Sequence, residues 1–245
     1  MVYMSVKTVR KRRVSSEVEF TEAFEHNHLF SFKIRRPFYF NPAHKRFYSC
    51  IKRKDTKMVF VDGPAGSMKT YIAVYAGLEM IRDESFSKLV YIRSIAESAE
   101  KSLGALPGEI DEKFSPYAIP LDEKVSEIAG YGVSSNLKKH GLIEAIPVNF
   151  VRGLTFNKTL VVVDEAQNLS RRELTTILTR FGRDSKYIVI GDCNQADVTK
   201  SGYKEIFNAF NTDKCIENNI FSFKFGNSEI SRSKILRFIC SVLGT

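Results

Sequence analysis

Two short stretches carry most of the chemistry available to this chain. The first, Gly63-Pro64-Ala65-Gly66-Ser67-Met68-Lys69-Thr70, sets small residues ahead of a lysine and a hydroxyl. Small side chains let main-chain N–H groups converge on phosphate oxygens, and a helix N-terminus directly behind them adds a favourable dipole. Lys69 then reaches the β and γ phosphates of ATP, and the Thr70 hydroxyl holds magnesium. Against the pattern G-x-x-x-x-G-K-[ST], one position departs: Met68 stands where the second glycine is usual. A less adaptable backbone there predicts retained binding and slower turnover. The competing reading is a tight strand-to-helix turn with a surface lysine.

The second stretch, Leu160-Val-Val-Val-Asp164-Glu165, ends an apolar run in two carboxylates. Adjacent carboxylates repel, and a divalent cation offsets the repulsion, so Asp164 is assigned to magnesium and Glu165 to activating the attacking water. A purely capping role is disfavoured, because Ser170 and Glu173 already form a capping box for the helix that follows. Further on, Gly191-Asp192-Cys193-Asn194-Gln195 brings polar residues to the end of another apolar run. There Gln195 is placed to bond the γ-phosphate or the attacking water, with Asp192 orienting it. Near the C-terminus, Arg232 precedes Ile235 and Leu236 on the expected buried face of a helix whose apolar positions include Ile239, Val242 and Leu243. An inward arginine needs an anion, either a carboxylate or the ATP phosphates.

Positioning these groups requires strands that end together. Met58–Val61, Leu89–Ile92, Leu142–Ile146, Leu160–Val163 and Tyr187–Ile190 are continuous apolar runs alternating with helical patterns, among them Thr70–Ile81 and the spacing of Leu174, Ile177, Leu178 and Phe181. That rhythm predicts an α/β fold with a parallel sheet covered by helices on both faces, its ligands gathered at the C-terminal strand edge. Ser94–His140, broken by Gly104, Pro107, Gly108, Pro116 and Pro120, reads as an insertion: a mobile partner-binding element carrying Lys101, Lys113, Lys124, Lys138 and Lys139, or an irregular packed excursion. Residues 1–38 read as a basic N-terminal extension, with Arg10, Lys11, Arg12 and Arg13 as a nucleic-acid arm or a solvated tail. His26 and His28 lack the companions of a metal site.

The composition sets the outer limits. Lys and Arg number 37 against 28 Asp and Glu, a net charge of +9 that suits either a polyanionic partner or a solvated basic surface. The four cysteines are widely spaced, as expected for reduced thiols in the cytoplasm. No apolar run approaches the roughly 18 residues of a membrane span, and no signal peptide is expected.

Taken in order, Gly63 to Thr70, Gly104-Ala-Leu-Pro-Gly108, Pro116-Tyr117, Ile143-Glu-Ala-Ile-Pro147, Arg152-Gly153, Asp164-Glu-Ala-Gln-Asn168, Leu178-Thr-Arg180 and Gly191-Asp-x-x-Gln195 resemble the PhoH-like family. The resemblance covers about residues 40–245. It implies a single RecA-like P-loop NTPase lobe, residues 39–245, that is ATP-binding, helicase-like and associated with phosphate starvation in bacteria and their phages. By resemblance the nucleotide site comprises Gly63, Gly66, Lys69, Thr70, Asp164, Glu165 and Gln195, with Arg232 matching an arginine near the family's end. His44 falls where relatives often carry a glutamine suited to reading adenine.

The sequence thus points first to a magnesium-dependent ATPase coupled to RNA or single-stranded DNA, and second to an ATP-dependent switch that binds a protein partner. Small-molecule phosphoryl transfer is weaker, because Glu165 directly after Asp164 suits water activation. A motor with one lobe is expected to work as a homo-oligomer, such as a ring, with Arg171, Arg172 or Arg180 acting across the interface.

Overall fold

A computed structural model describes residues 32–35, 40–94, 110–195, 201–231 and 234–243. The chain divides after residue 33, and the description below concerns the second unit, residues 34–245. Expectations for residues 1–31, for Gly104 to Gly108 and for Arg232 lie outside the described residues.

Six strands form one all-parallel sheet: β1 (Met58–Asp62), β2 (Lys88–Arg93), β3 (Ile143–Pro147), β4 (Thr159–Asp164), β5 (Lys186–Gly191) and β6 (Ile220–Lys224), in the order β3-β2-β4-β5-β1-β6. Every residue of β1, β4 and β5 is buried, as their unbroken Val/Ile/Phe runs require. The five apolar runs read from the sequence correspond to β1 to β5. The sixth strand, Ile220-Phe-Ser-Phe-Lys224, is a half-buried edge whose mixed polarity hides it from a search for continuous apolar runs.

Alternate strand residues serve opposite layers. Met58, Phe60, Val90, Ile92, Val161, Val163, Tyr187 and Val189 share a core with Leu174, Ile177 and Leu178 of α5 (Arg171–Leu178) and with Tyr203, Ile206 and Phe207 of α6 (Tyr203–Ala209). On the other face lies α2 (Lys69–Arg82), preceded in the chain by α1 (Pro42–Lys52). Its Gly77 is so close to the sheet that an added Cβ would stand 2.5 Å from Leu89 Cδ1 and 2.6 Å from Leu160 Cδ2. A methyl at that position would push the helix off β2 and β4.

From residue 110 the expected insertion is regular. It forms α3 (Ile110–Ala129) and α4 (Val133–Lys139), and α3 packs on β3 and β2. Pro116 and Pro120 sit inside α3 rather than breaking it. Each costs about 3 kcal/mol in a helix interior, and the offset comes from burial of Leu121, Val125 and Ile128, all fully enclosed. The last helices are α7 (Asp213–Glu217) and α8 (Lys234–Leu243). Here a second correction is needed: Ile235, Ile239 and Val242, expected inward, are exposed, together with Phe238. The side chains of Leu236 and Leu243 lie outside the described residues.

Because all pairs are parallel, Asp62, Arg93, Pro147, Asp164, Gly191 and Lys224 end their strands along one edge. Strand β5 lies between β1, which leads into Gly63 to Thr70, and β4, which ends in Asp164.

Candidate nucleotide-binding site

A cleft of about 620 Å³ opens at this edge. Its walls include Ala65 to Thr70, Asp164, Glu165, Asp192 and Gln195, so residues from three separate sequence stretches meet in one place. The loop between β1 and α2 is shaped from within and from behind. Gly66 takes φ 78°, a conformation open mainly to glycine. Ser67 Oγ donates to the Pro64 carbonyl at 2.6 Å, closing the turn. Gly63 is pressed from outside: a Cβ there would lie 2.7 Å from Phe225 Cβ and 2.9 Å from the Phe225 carbonyl oxygen. The same residue ties to the end of β1, Phe225 N–H donating to Asp62 O at 2.7 Å, while Ser231 N–H donates to Gly66 O at 3.2 Å.

Met68 is the N-cap of α2 and adopts φ 62°, ψ 14°, the left-handed region. The reason a glycine is usual at this position is therefore explicit. A side chain here costs roughly 1–2 kcal/mol, and the Met68 hydroxyl-free side chain offers the helix no cap bond.

Lys69, the first residue of α2, is nearly buried, its Nζ donating to the carbonyls of Gly63 and Pro64 (2.8 Å for the latter) and to Ser67 Oγ at 3.3 Å. Burial lowers its pKa, opposed by the negative charges of Asp192, Asp164, Glu165 and Asp62. The ammonium is thus held by the loop's own carbonyls within the field of four carboxylates.

Thr70 Oγ1 donates to Asp164 Oδ1 at 2.9 Å, and the buried Tyr91 hydroxyl donates to Asp164 Oδ2. Tyr91 has its pKa raised by burial and then by Asp164, which keeps it a donor. No group of three or more His, Cys, Asp or Glu able to hold a metal occurs among the described residues. The Thr70 and Asp164 oxygens instead match the habit of magnesium, which takes one or two protein oxygens and completes its shell with phosphate and water.

Glu165 follows with φ 52°, a strained turn that directs the chain away from β4 into a short 3₁₀ turn, Ala166–Asn168. Burial, then the neighbouring Asp164, raises its pKa. Two groups restrain the carboxylate. Gln167 Nε2 donates to Glu165 Oε2 at 2.6 Å, and an Arg93 guanidinium nitrogen stands 3.6 Å from Oε1. Gln167 also accepts the Asp192 N–H at 3.1 Å, so one amide bridges the ends of β4 and β5.

Asp192 caps its own turn: Oδ1 accepts the Asn194 N–H at 3.0 Å, and its carbonyl accepts the Gln195 N–H at 3.2 Å. The main chain of Gln195 is thus tied to Asp192. Its Oδ2 is buried without a hydrogen-bond partner among the described residues, and burial raises its pKa.

His44 is not brought to the cleft wall. It is fully buried in the first turn of α1, where its N–H donates to Asn41 Oδ1 at 2.8 Å and its Nδ1 accepts the Asn41 N–H at 3.4 Å. The ring packs edge-on to Phe225, centroids 5.3 Å apart. Burial lowers its pKa, and Nε2 has no hydrogen-bond partner among the described residues. The ring also faces the backbones of Ser67 and Glu229, so it stands behind the loop that lines the cleft.

Arg93 and Gln167 are the cleft residues that motif reasoning passed over as actors. Arg93 had a signal, a lone cation ending an apolar run whose neighbours end in acids. Gln167 sat inside a quoted motif without an assigned role. Of the α3 residues that complete the wall, Pro120 and Lys124 were read only as parts of an insertion, and Glu123 and Glu127 carried no signal.

Comparison with known proteins identifies the family. The family model described as PhoH-like protein matches residues 40–243. The chain is 36% identical over 156 residues to a PhoH-like protein of Bacillus subtilis, covering 64% of this chain and 48% of that protein. With a PhoH-like protein of Mycobacterium tuberculosis it shares 34% over 154 residues, 63% and 43% of the two chains. With Protein PhoH of Escherichia coli K12 it shares 30% over 200 residues, 80% and 54%. The chain spans about half the length of these curated relatives. With the loop after β1, the acid pair after β4 and a match over residues 40–243, this chain belongs to the PhoH-like protein family and has its P-loop NTPase fold.

Proposed function

We propose that the protein binds ATP with magnesium and hydrolyses it, with turnover coupled to RNA or single-stranded DNA. The observation that carries this reading is the convergence of Thr70 with Asp164, beside Lys69 and Glu165, on one cleft. Lys69 and the loop N–H groups would hold the β and γ phosphates, and Thr70 and Asp164 would hold magnesium. A magnesium ion held there would supply neutralisation of the charge that develops on the transferred phosphoryl oxygens. Glu165 takes the proton of the attacking water, its raised pKa making it a stronger base than an ordinary carboxylate. Gln167 and Arg93 hold that carboxylate in place, and Gln195 bonds the γ-phosphate or the water.

Coupling to a polymer rests on the net charge of +9. A single lobe coupled to movement would act as a homo-oligomer. A cytoplasmic setting fits four cysteines that form no disulfide; among the described residues no helix is long and apolar enough to cross a membrane.

The test is ATP hydrolysis with and without RNA and single-stranded DNA, for the wild type and Glu165→Gln. The variant should keep ATP binding and lose about a hundredfold or more in rate. Normal turnover in the variant removes Glu165 from the base role, and a wild-type rate indifferent to both polymers removes the coupling in favour of a switch.

A further inference from the structure

Away from the nucleotide cleft, α5 presents an unusual outer face. While Leu174, Ile177 and Leu178 are buried in the core, the opposite side forms two adjacent rows with i, i+4 spacing: Arg171, Thr175, Thr179 and Arg172, Thr176, Arg180. These six residues alone line a groove of about 500 Å³. No carboxylate and no aromatic ring contributes to it.

The charges are not neutralised equally. Arg171 pairs with Glu205 at 2.9 Å, both side chains well exposed, an arrangement of little energetic weight. Arg172 and Arg180 have no ion pair among the described residues, and Arg180 Nε is buried without an acceptor. A guanidinium left so is costly to the fold, by about 1–3 kcal/mol for an unmet hydrogen bond. The threonines between them spend their hydrogens internally: Thr175 and Thr176 donate to the carbonyls of Arg171 and Arg172, and Thr179 donates to Thr175 and Thr176. The groove floor therefore offers methyl groups and lone pairs, with guanidinium donors at both ends.

Arg180 lies two residues past the end of α5, and a helical rise carried through Thr179 puts it about 12 Å from Arg172, a span of roughly four phosphates along a stacked single strand. We infer that this α5 groove binds the phosphodiester backbone of a single-stranded nucleic acid, Arg172 and Arg180 gripping phosphates at its two ends. Charge complementarity selects the occupant, and the planar guanidinium matches a phosphate with paired donors. With no aromatic surface for stacking and no free hydroxyl donor, the groove reads the backbone and not the bases. The inference rests on the polymer half of the proposed function and is independent of ATP chemistry.

The experiment is fluorescence anisotropy of fluorescein-labelled oligo(dT), oligo(dA) and oligo(U), about 20 nucleotides long, titrated with the full chain at several salt concentrations. Arg172→Ala and Arg180→Ala should each lower affinity several-fold to tenfold and flatten the dependence of log K on log salt by about 0.7. Arg180→Lys should restore most of the salt slope, and oligo(dT) and oligo(dA) should bind alike. Arg183→Ala, an exposed arginine outside the groove, should change nothing. Thermal melting followed by circular dichroism, measured alongside, reports that each variant is folded. Wild-type binding that Arg172→Ala and Arg180→Ala leave intact overturns the groove while sparing the polymer reading. A wild type that binds no oligonucleotide overturns both. Variants that change the mass of an assembly in light scattering without changing oligonucleotide affinity assign the face to a second copy and also overturn the inference.

Discussion

Thr70 and Asp164, 94 residues apart in the chain, are joined by a 2.9 Å hydrogen bond at the mouth of the cleft. The hydroxyl comes from the first turn of α2 and the carboxylate from the last residue of β4, and Tyr91 of β2 fixes the second carboxylate oxygen from beneath. Three elements thus agree on one point in space.

That agreement makes magnesium dependence the first prediction. Asp164→Asn should weaken magnesium-dependent ATP binding by about tenfold or more, since a neutral amide replaces the charged ligand. Tyr91→Phe should have a smaller effect of the same kind and lower stability by about 1–2 kcal/mol, the cost of leaving a carboxylate oxygen short of a donor. Titration calorimetry with magnesium at fixed ATP separates the two; equal, undiminished binding in Asp164→Asn would remove Asp164 from the metal.

Met68 supports a prediction with an unusual sign. Because its backbone is left-handed, Met68→Gly should raise stability by about 1 kcal/mol, and Met68→Val should lower it by more, a β-branched residue being worst in that region. Urea unfolding gives the values. The same glycine variant should hydrolyse ATP faster, and an unchanged or slower rate would dissociate turnover from loop strain.

Gln167 and Arg93 should act on rate more than on binding. Gln167→Leu cuts the link from Glu165 to the main chain of Asp192, and Arg93→Ala frees the other carboxylate oxygen. Each should lower kcat by about tenfold or more with KM changed by less than about threefold, as expected when an interaction positions a catalytic group. A rise in KM alone would place them in nucleotide binding instead.

Lys186 carries a pH prediction at the opposite edge of the sheet. Its ammonium is buried, donating at 2.6 Å to the carbonyls of Ile51 and Arg53 at the C-terminal end of α1. Burial pushes its pKa down from 10.5 to about 8. Between those values the unfolded chain binds more protons than the folded one, so stability rises with pH across that window; below about 8 both states are protonated and the burial cost is present in full. Stability measured by urea unfolding should therefore climb from about pH 8 to 10 in the wild type and stay flatter in Lys186→Met. Parallel curves would show that the two carbonyl bonds hold the proton on.

The strand-loop-helix unit from Met58 to Thr70 and the pair Asp164-Glu165 were legible because each is local: an apolar run, then the chemistry, within a dozen residues. What stayed hidden was decided by distant partners. The helical state of Pro116 and Pro120 depends on a face that buries Leu121, Val125 and Ile128 against the sheet, a gain that propensity does not register. The bridge made by Gln167 needs β5 beside β4, a matter of strand order. The capping box between Asn41 and His44 was likewise hidden, because it depends on an Nδ1 acceptor that histidine seldom supplies at that position. Helical periodicity in α8 identified a real apolar stripe but not which way it faces.

The contact of Phe225 with Gly63 also bears on how the molecule can be dissected. The nucleotide loop closes its sequence signature at Thr70, yet its first glycine is pressed by a residue 162 positions later, and Ser231 bonds the carbonyl of Gly66. A deletion series that trims the C-terminus in search of a minimal ATP-binding fragment should meet a sharp limit near Ser231. Fragments ending before Phe225 would retain Gly63 to Thr70, Asp164, Glu165 and Gln195 and still lack the wall that shapes the loop.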